Sequence, residues 1–129
     1  MTVGDWVRRL AHETAIHRLD AESTLPQTPV TRFSPEFATD GVDEYLTFLT
    51  PNRAAASTAD GVVHVAATDT GRTWSVSLVA GAIPRVEAAA APDVRIEGAA
   101  DDVYRALWGR PHDATVTGSS GLLDALAAP

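Results

Sequence analysis

No cysteine occurs among the 129 residues of this chain. A disulfide framework, cysteine-ligated zinc and a cysteine nucleophile are thereby excluded, and any thiol chemistry needs a thiol from outside. There is also no apolar run near the roughly 20 residues that cross a bilayer, so no membrane anchor is expected. Met1 is followed by a charged amphipathic segment instead of a basic start and an apolar stretch, which speaks for the cytoplasm over secretion. Positive charge is scarce. Ten basic residues, all arginine, face 17 acidic ones, for a formal net charge of −7. Phosphate binding rests on clustered Lys and Arg, so a nucleic-acid surface is not expected.

What is present suits one globular domain with a single core: 45% of the residues are hydrophobic and 21% charged. The most informative stretch is HETAIHRLDAE at positions 12–22. On a helix Glu13 and His17 lie four residues apart on one face, which is metal-ligand spacing. Val3, Trp6, Leu10, Glu13 and His17 step by 3, 4, 3 and 4, so the pair continues a line of apolar residues that would face a core. An inward-facing carboxylate and imidazole need partners, since an unpaired buried charge costs several kcal/mol, roughly. A metal supplies one partner. A direct Glu–His hydrogen bond is the alternative. A catalytic zinc usually takes three protein ligands and a water, whereas this helix offers two. His12 is turned about 100° away and is a poor third. His64 and His112 are the remaining histidines, neither at a diagnostic spacing.

The first helix is expected to start at Thr2, with Asp5 completing a capping box, and to run to about Glu22. Leu25 to Pro35 carries three prolines and reads as an extended connector. Ser34-Pro35-Glu36 opens a second helix, with Phe37, Val42, Tyr45, Leu46 and Leu49 inward and Pro51 ending it. From Gly61 the hydrophobic period becomes two, the mark of a sheet with one covered face. Val63, Val65 and Ala67 alternate with His64 and Ala66, and Asp69-Thr70-Gly71 turns the chain into a strand over Thr73–Val79. Further strands are expected over Ile83–Glu87, Val94–Gly98 and Thr115–Thr117. Helices are expected from Asp101 to a stop at Gly109 and Pro111, and over Ser120–Ala127. This order predicts an α+β domain, a mostly antiparallel sheet with helices on one face, preceded by one long helix. That long helix carries more inward bulk than so small a sheet needs and reads as part of a different unit.

The segments RRLAHETAIHRLDAE, PEFATDGVDEYL, VVHVAATDTGRTWSV, VRIEGAADDVYRALWGRP and VTGSSGLLDAL together resemble the mycothiol-dependent maleylpyruvate isomerase family over nearly the whole chain. The resemblance implies that residues 1–24 are the last helix of a DinB-like metal-binding bundle whose remainder is absent. Residues 25–129 would form its C-terminal sterol-carrier-like domain. It implies Glu13 and His17 as two of three zinc ligands, with no counterpart here for the third, a histidine. It places Arg110, in LWGR, in the active site, where a guanidinium would grip a substrate carboxylate through two charge-assisted hydrogen bonds. Capping the end of its own helix is the alternative role for Arg110. The family chemistry uses mycothiol: the metal lowers the thiol pKa, the thiolate adds to a cis double bond, rotation follows, and elimination gives the trans isomer.

Three functions follow as expectations. One is a truncated or split member of this family, competent when a second chain completes the bundle; it predicts exposed apolar surface around Trp6 and Leu10, covered by a second copy or a helical partner. Another is a non-catalytic sterol-carrier-like module holding a small anionic or thiol-conjugated molecule, with Trp74, Leu78, Leu107 and Trp108 around the pocket and no metal dependence. The third is an interaction domain without a ligand.

Overall fold

The computed structural model describes residues 2–27, 29–53, 59–88 and 91–126. The chain divides into two units, residues 1–33 and 34–129.

The first unit is helix α1, Val3–Ser23, and the segment that follows it. Its start is as the sequence predicts. Thr2 Oγ1 accepts from Asp5 N–H at 3.1 Å and Asp5 Oδ2 accepts from Thr2 N–H at 2.9 Å, so two of the donors a helix leaves unsatisfied are paired locally. Beyond the helix the chain does not simply run outward. Glu22 Oε2 accepts from both the amide and the hydroxyl of Thr31, at 2.8 Å each, and the Arg18 guanidinium lies 5.6 Å from the centre of the Phe33 ring. The connector is folded back by polar contacts that its prolines leave available.

The facing of α1 corrects the sequence reading. The buried side is Arg9, His12, Ala15, Ile16 and Leu19. The line expected inside is open: Trp6 is 56% and Leu10 58% exposed. The side chains of Glu13 and His17 are 39% and 77% exposed, so neither carries the desolvation cost that called for a partner, metal or otherwise. Periodicity located the apolar stripe but not the buried side, which carries Arg9 and His12 beside Ala15, Ile16 and Leu19.

In the second unit Ser34 caps helix α2, Pro35–Glu44, by accepting from Phe37 N–H at 3.2 Å, and Pro35 takes the first helical position, where its missing donor costs nothing. Pro51 does not end the helical rod. The chain widens into a π-helical segment over Tyr45–Leu49, with Thr50 N–H donating to Tyr45 O, and continues as α3, Thr50–Arg53. The widened turn makes room for the proline ring and shifts the hydrogen-bond register where Pro51 lacks a donor.

A five-stranded mixed sheet follows, in the order β3-β2-β1-β4-β5. The strands are β1 Gly61–Ala67, β2 Arg72–Leu78, β3 Arg85–Val86, β4 Val94–Gly98 and β5 Thr115–Gly118. All neighbours are antiparallel except β1 and β4. The expected strand over Ile83–Glu87 shrinks to two residues. The register stacks Val63 beside Val76 and Val94, and Val65 beside Trp74 and Ile96, so one face is continuously apolar. Helix α4, Ala100–Leu107, packs on α2 and the central strands, burying Val103 and Tyr104 with Ala38, Val42, Leu46 and Leu49. Each such fully buried side chain contributes about 1.5–3 kcal/mol. The fold is the expected α+β arrangement with one covered sheet face. His64 lies on the opposite face, beside Ser75 and Arg95.

Closure of the far edge depends on one glycine. Gly118 has φ +99°, and a Cβ there would collide with the Asp93 carbonyl. The last segment, Ser120–Leu126, is a 3-10 helix rather than an α-helix. Ala127 and residues 89 and 90 of the alanine-rich stretch lie outside the described residues.

Candidate functional site

The sequence L-W-G-R sets the geometry at the end of α4. Trp108 is the C-cap, Gly109 follows with φ +71°, and two bonds close the helix: Gly109 N–H to Ala106 O at 3.0 Å and Arg110 N–H to Arg105 O at 2.9 Å. This is a Schellman closure, and it needs the left-handed residue that glycine provides. Its outcome is a defined backbone position for Arg110. The guanidinium is oriented by Nη1 donating back to the Trp108 carbonyl. The helix-capping role weighed for Arg110 is thus present in the structure, and it leaves the side chain half-buried at a pocket.

That pocket, about 600 Å³, opens between the end of α4, β4, β5 and the 3-10 segment. Its apolar wall comprises Tyr45, Ile96, Leu107, Trp108, Val116, Leu123 and Leu126. Arg110, His112, Ser120 and Asp124 supply the polar groups. Tyr45 and Trp108 meet edge to face with centroids 5.3 Å apart, a geometry that holds both rings in place. Leu107 and Trp108, two of the four residues expected around a pocket, line this one. Trp74 and Leu78 do not: both are buried in the core and lie outside this pocket's lining. Trp74 instead donates from Nε1 to Asp43 Oδ1 at 3.1 Å, and Arg72 reaches the same oxygen at 3.3 Å.

His112 is the residue that sequence reasoning undervalued, having weighed it only as a metal ligand. Its Nδ1 accepts from Ala114 N–H at 3.0 Å, so the proton of the neutral ring sits on Nε2. The available signal was its place two residues past the arginine that follows a helix-ending Trp-Gly.

Glu13 and His17 belong to the other unit. Glu13 Oε2 and His17 Nε2 are 3.6 Å apart on the exposed side of α1. A carboxylate oxygen and an imidazole nitrogen at this separation suit zinc as two ligands, but catalytic sites take three. Among the described residues no group of three or more His, Asp or Glu is placed to hold a metal ion. His12 is buried on the other side of the helix, and His64 and His112 lie in the second unit.

Among protein-family models, the one described as the MDMPI C-terminal domain matches residues 36–127. The chain belongs to this family. The matched span holds the sheet, α4, the Schellman closure, Arg110 and the pocket, so the site just described lies within it. Glu13 and His17 lie before the match. The domain is the C-terminal part of the maleylpyruvate isomerase-like family. No curated protein and no solved structure matches the chain. None of the described helices is long and apolar enough to cross a membrane.

Proposed function

We propose that this chain, a member of the maleylpyruvate isomerase-like metalloprotein family, carries out thiol-dependent isomerase or transferase chemistry together with a second chain. The observation that supports it is the open line on α1. Glu13 and His17, two of the three zinc ligands that the family resemblance implies, continue an exposed apolar stripe of Val3, Trp6 and Leu10. Apolar surface running into incomplete metal ligands suits a helical partner or a second copy that contributes both cover and ligands. When bound, the zinc would lower the pKa of a mycothiol-type thiol, the nucleophile that a cysteine-free chain lacks. The substrate's carboxylate would be gripped by Arg110, held in orientation by the Trp108 carbonyl, with the apolar wall of the pocket excluding water.

Metal stoichiometry on protein purified without chelator, with the solution mass of the same sample, tests this reading. One zinc per chain or per dimer, lost on changing Glu13 and His17 to Ala while the sheet stays folded, supports it. A metal-free stable monomer removes it.

A second reading is favoured by one observation: the pocket lies wholly within the second unit and contains its own cation. On that reading the domain binds a small anionic molecule without metal or chemistry. Ligand uptake that is indifferent to zinc and to Glu13 and His17 would establish it.

A further inference from the structure

Among the described residues β3 is the outermost strand on its side of the sheet, paired with β2 alone. Its register fixes which backbone groups remain outside. Val86 lies opposite Val76 and Arg85 opposite Ser77, and the Glu87 amide donates to Ser75 O at 3.0 Å. Bonded and non-bonded pairs alternate along an antiparallel ladder, so Arg85 and Glu87 turn their backbone groups toward β2. Val86 turns its N–H and C=O outward, where they form a template for another strand. All three side chains are exposed.

We infer that the strand this edge takes is β3 of a second copy, in an antiparallel pair with a two-fold axis at Val86. The sequence Arg85-Val86-Glu87 is its own complement about that axis. The two valines exchange both outward hydrogen bonds, and each Arg85 comes to lie opposite the partner's Glu87. Those are non-bonded positions of the new ladder, where facing side chains approach most closely. Neither Arg85 nor Glu87 takes part in an ion pair within the chain among the described residues, so both charges are available for the pairing.

Charge on an edge strand commonly serves to repel other strands. Here the two signs stand two residues apart, which selects a register instead. A pairing centred on Arg85 or on Glu87 would set like charges opposite each other, whereas one centred on Val86 sets opposite charges together twice. Pro84 bounds the paired run, since it has no donor to offer. Apolar cover adds to the pairing. Val86 shares the covered face of the sheet with Val76, beside a groove of about 440 Å³ lined by Leu46, Thr47, Pro51 and Ile83. Ile83 is 39% and Val86 37% exposed, and the partner's Val86 would come to the lip of this groove. The dimer would join two five-stranded sheets into one continuous sheet. So short a paired run makes a small interface and a weak, reversible dimer. This surface is separate from the exposed stripe of α1 and goes beyond the reading of that stripe.

Sedimentation equilibrium of the full chain from micromolar to millimolar concentration should show a monomer in exchange with a dimer. Arg85→Glu and Glu87→Arg should each weaken the dimer about tenfold, because each sets two like-charged pairs across the axis. An equimolar mixture of the two variants restores opposite charges at both positions and should recover the association, as should the double variant. Val86→Pro removes the outward donor while leaving the β2 bonds of Arg85 and Glu87 in place, and should abolish the dimer. Thermal melts check that each variant is folded. A chain that stays monomeric throughout, or a dimer indifferent to both charge reversals, overturns the inference. So does a loss that neither mixing nor the double variant restores. A dimer dissociated by Trp6→Asp but not by the reversals assigns the association to α1 and likewise overturns it.

Discussion

Asp69 caps a helix from which it is separated by thirty-one positions in sequence: its Oδ1 accepts from the backbone N–H of Ala100 at 2.9 Å. The cap residue of α4 is Ala99, which has no side chain able to do this. The Asp69-Thr70-Gly71 turn between β1 and β2 thus both reverses the chain and supplies the missing acceptor at the N-terminus of the helix whose other end carries Arg110. The negative carboxylate also suits the positive end of the helix dipole.

Asp69→Ala is expected to cost about 1 kcal/mol of stability, the usual loss for a removed N-cap. Asp69→Asn, which keeps the acceptor and loses the charge, should recover most of it. Urea unfolding midpoints of the three proteins check the order.

Gly109→Ala forces a Cβ into a backbone conformation with φ +71°. The expected cost is about 1 kcal/mol. The sharper expectation concerns function: a shifted Schellman closure moves Arg110, so affinity for a small carboxylate at the pocket should fall even at temperatures where the variant is fully folded. Unchanged affinity would mean that Arg110 is not positioned by this turn.

Removing Asp43 should be worse than its half-exposed position suggests. It accepts from the indole of Trp74 and pairs with Arg72, whose guanidinium lies 5.0 Å from the Trp74 ring centre. Asp43→Ala leaves the indole N–H of a buried tryptophan without this acceptor, at about 1–3 kcal/mol. Asp43→Asn retains an acceptor and should lose less. Denaturant midpoints, with tryptophan fluorescence reporting the environment of the ring, distinguish the two.

The start of α1 should respond to acid. The Thr2 amide and hydroxyl hold the Asp5 carboxyl below its ordinary value of 3.8. A depressed folded pKa means that the stabilisation is fully present above that ordinary value and is lost as pH falls through the lower folded one. Protection of the first-turn amides of α1, their exchange rate relative to that of the unfolded chain at the same pH, should therefore fall below about pH 4. In Asp5→Asn that loss of protection should vanish.

Local signals in this sequence were legible where chemistry is local. The Thr2–Asp5 box, Ser34 before Pro35, the alternation from Gly61 and the Trp-Gly end of α4 all specify their structure within a few residues. The errors arose where the outcome is set by distant groups. Pro51 reads as a stop because proline lacks a donor, yet a π turn six to two residues earlier absorbs it. Val3, Trp6, Leu10, Glu13 and His17 read as a core line because they are in phase, but phase alone does not select the covered side of a helix. Arg110 is singled out only through the family resemblance. The pocket around it is not legible, because Tyr45, Ile96 and Leu126 come from three elements whose meeting no spacing encodes.

The parallel pairing of β1 with β4 also bears on how the chain is made. As the polypeptide emerges from the ribosome, β1 can close at once on β2 across a short turn, but its other edge stays open until Gly98 has been synthesised. During that interval the centre of the future sheet presents an unpaired, largely apolar strand edge, the element most prone to pair with a neighbouring nascent chain. Translation speed between residues 67 and 98 is therefore the step at which yield of soluble protein should be most sensitive.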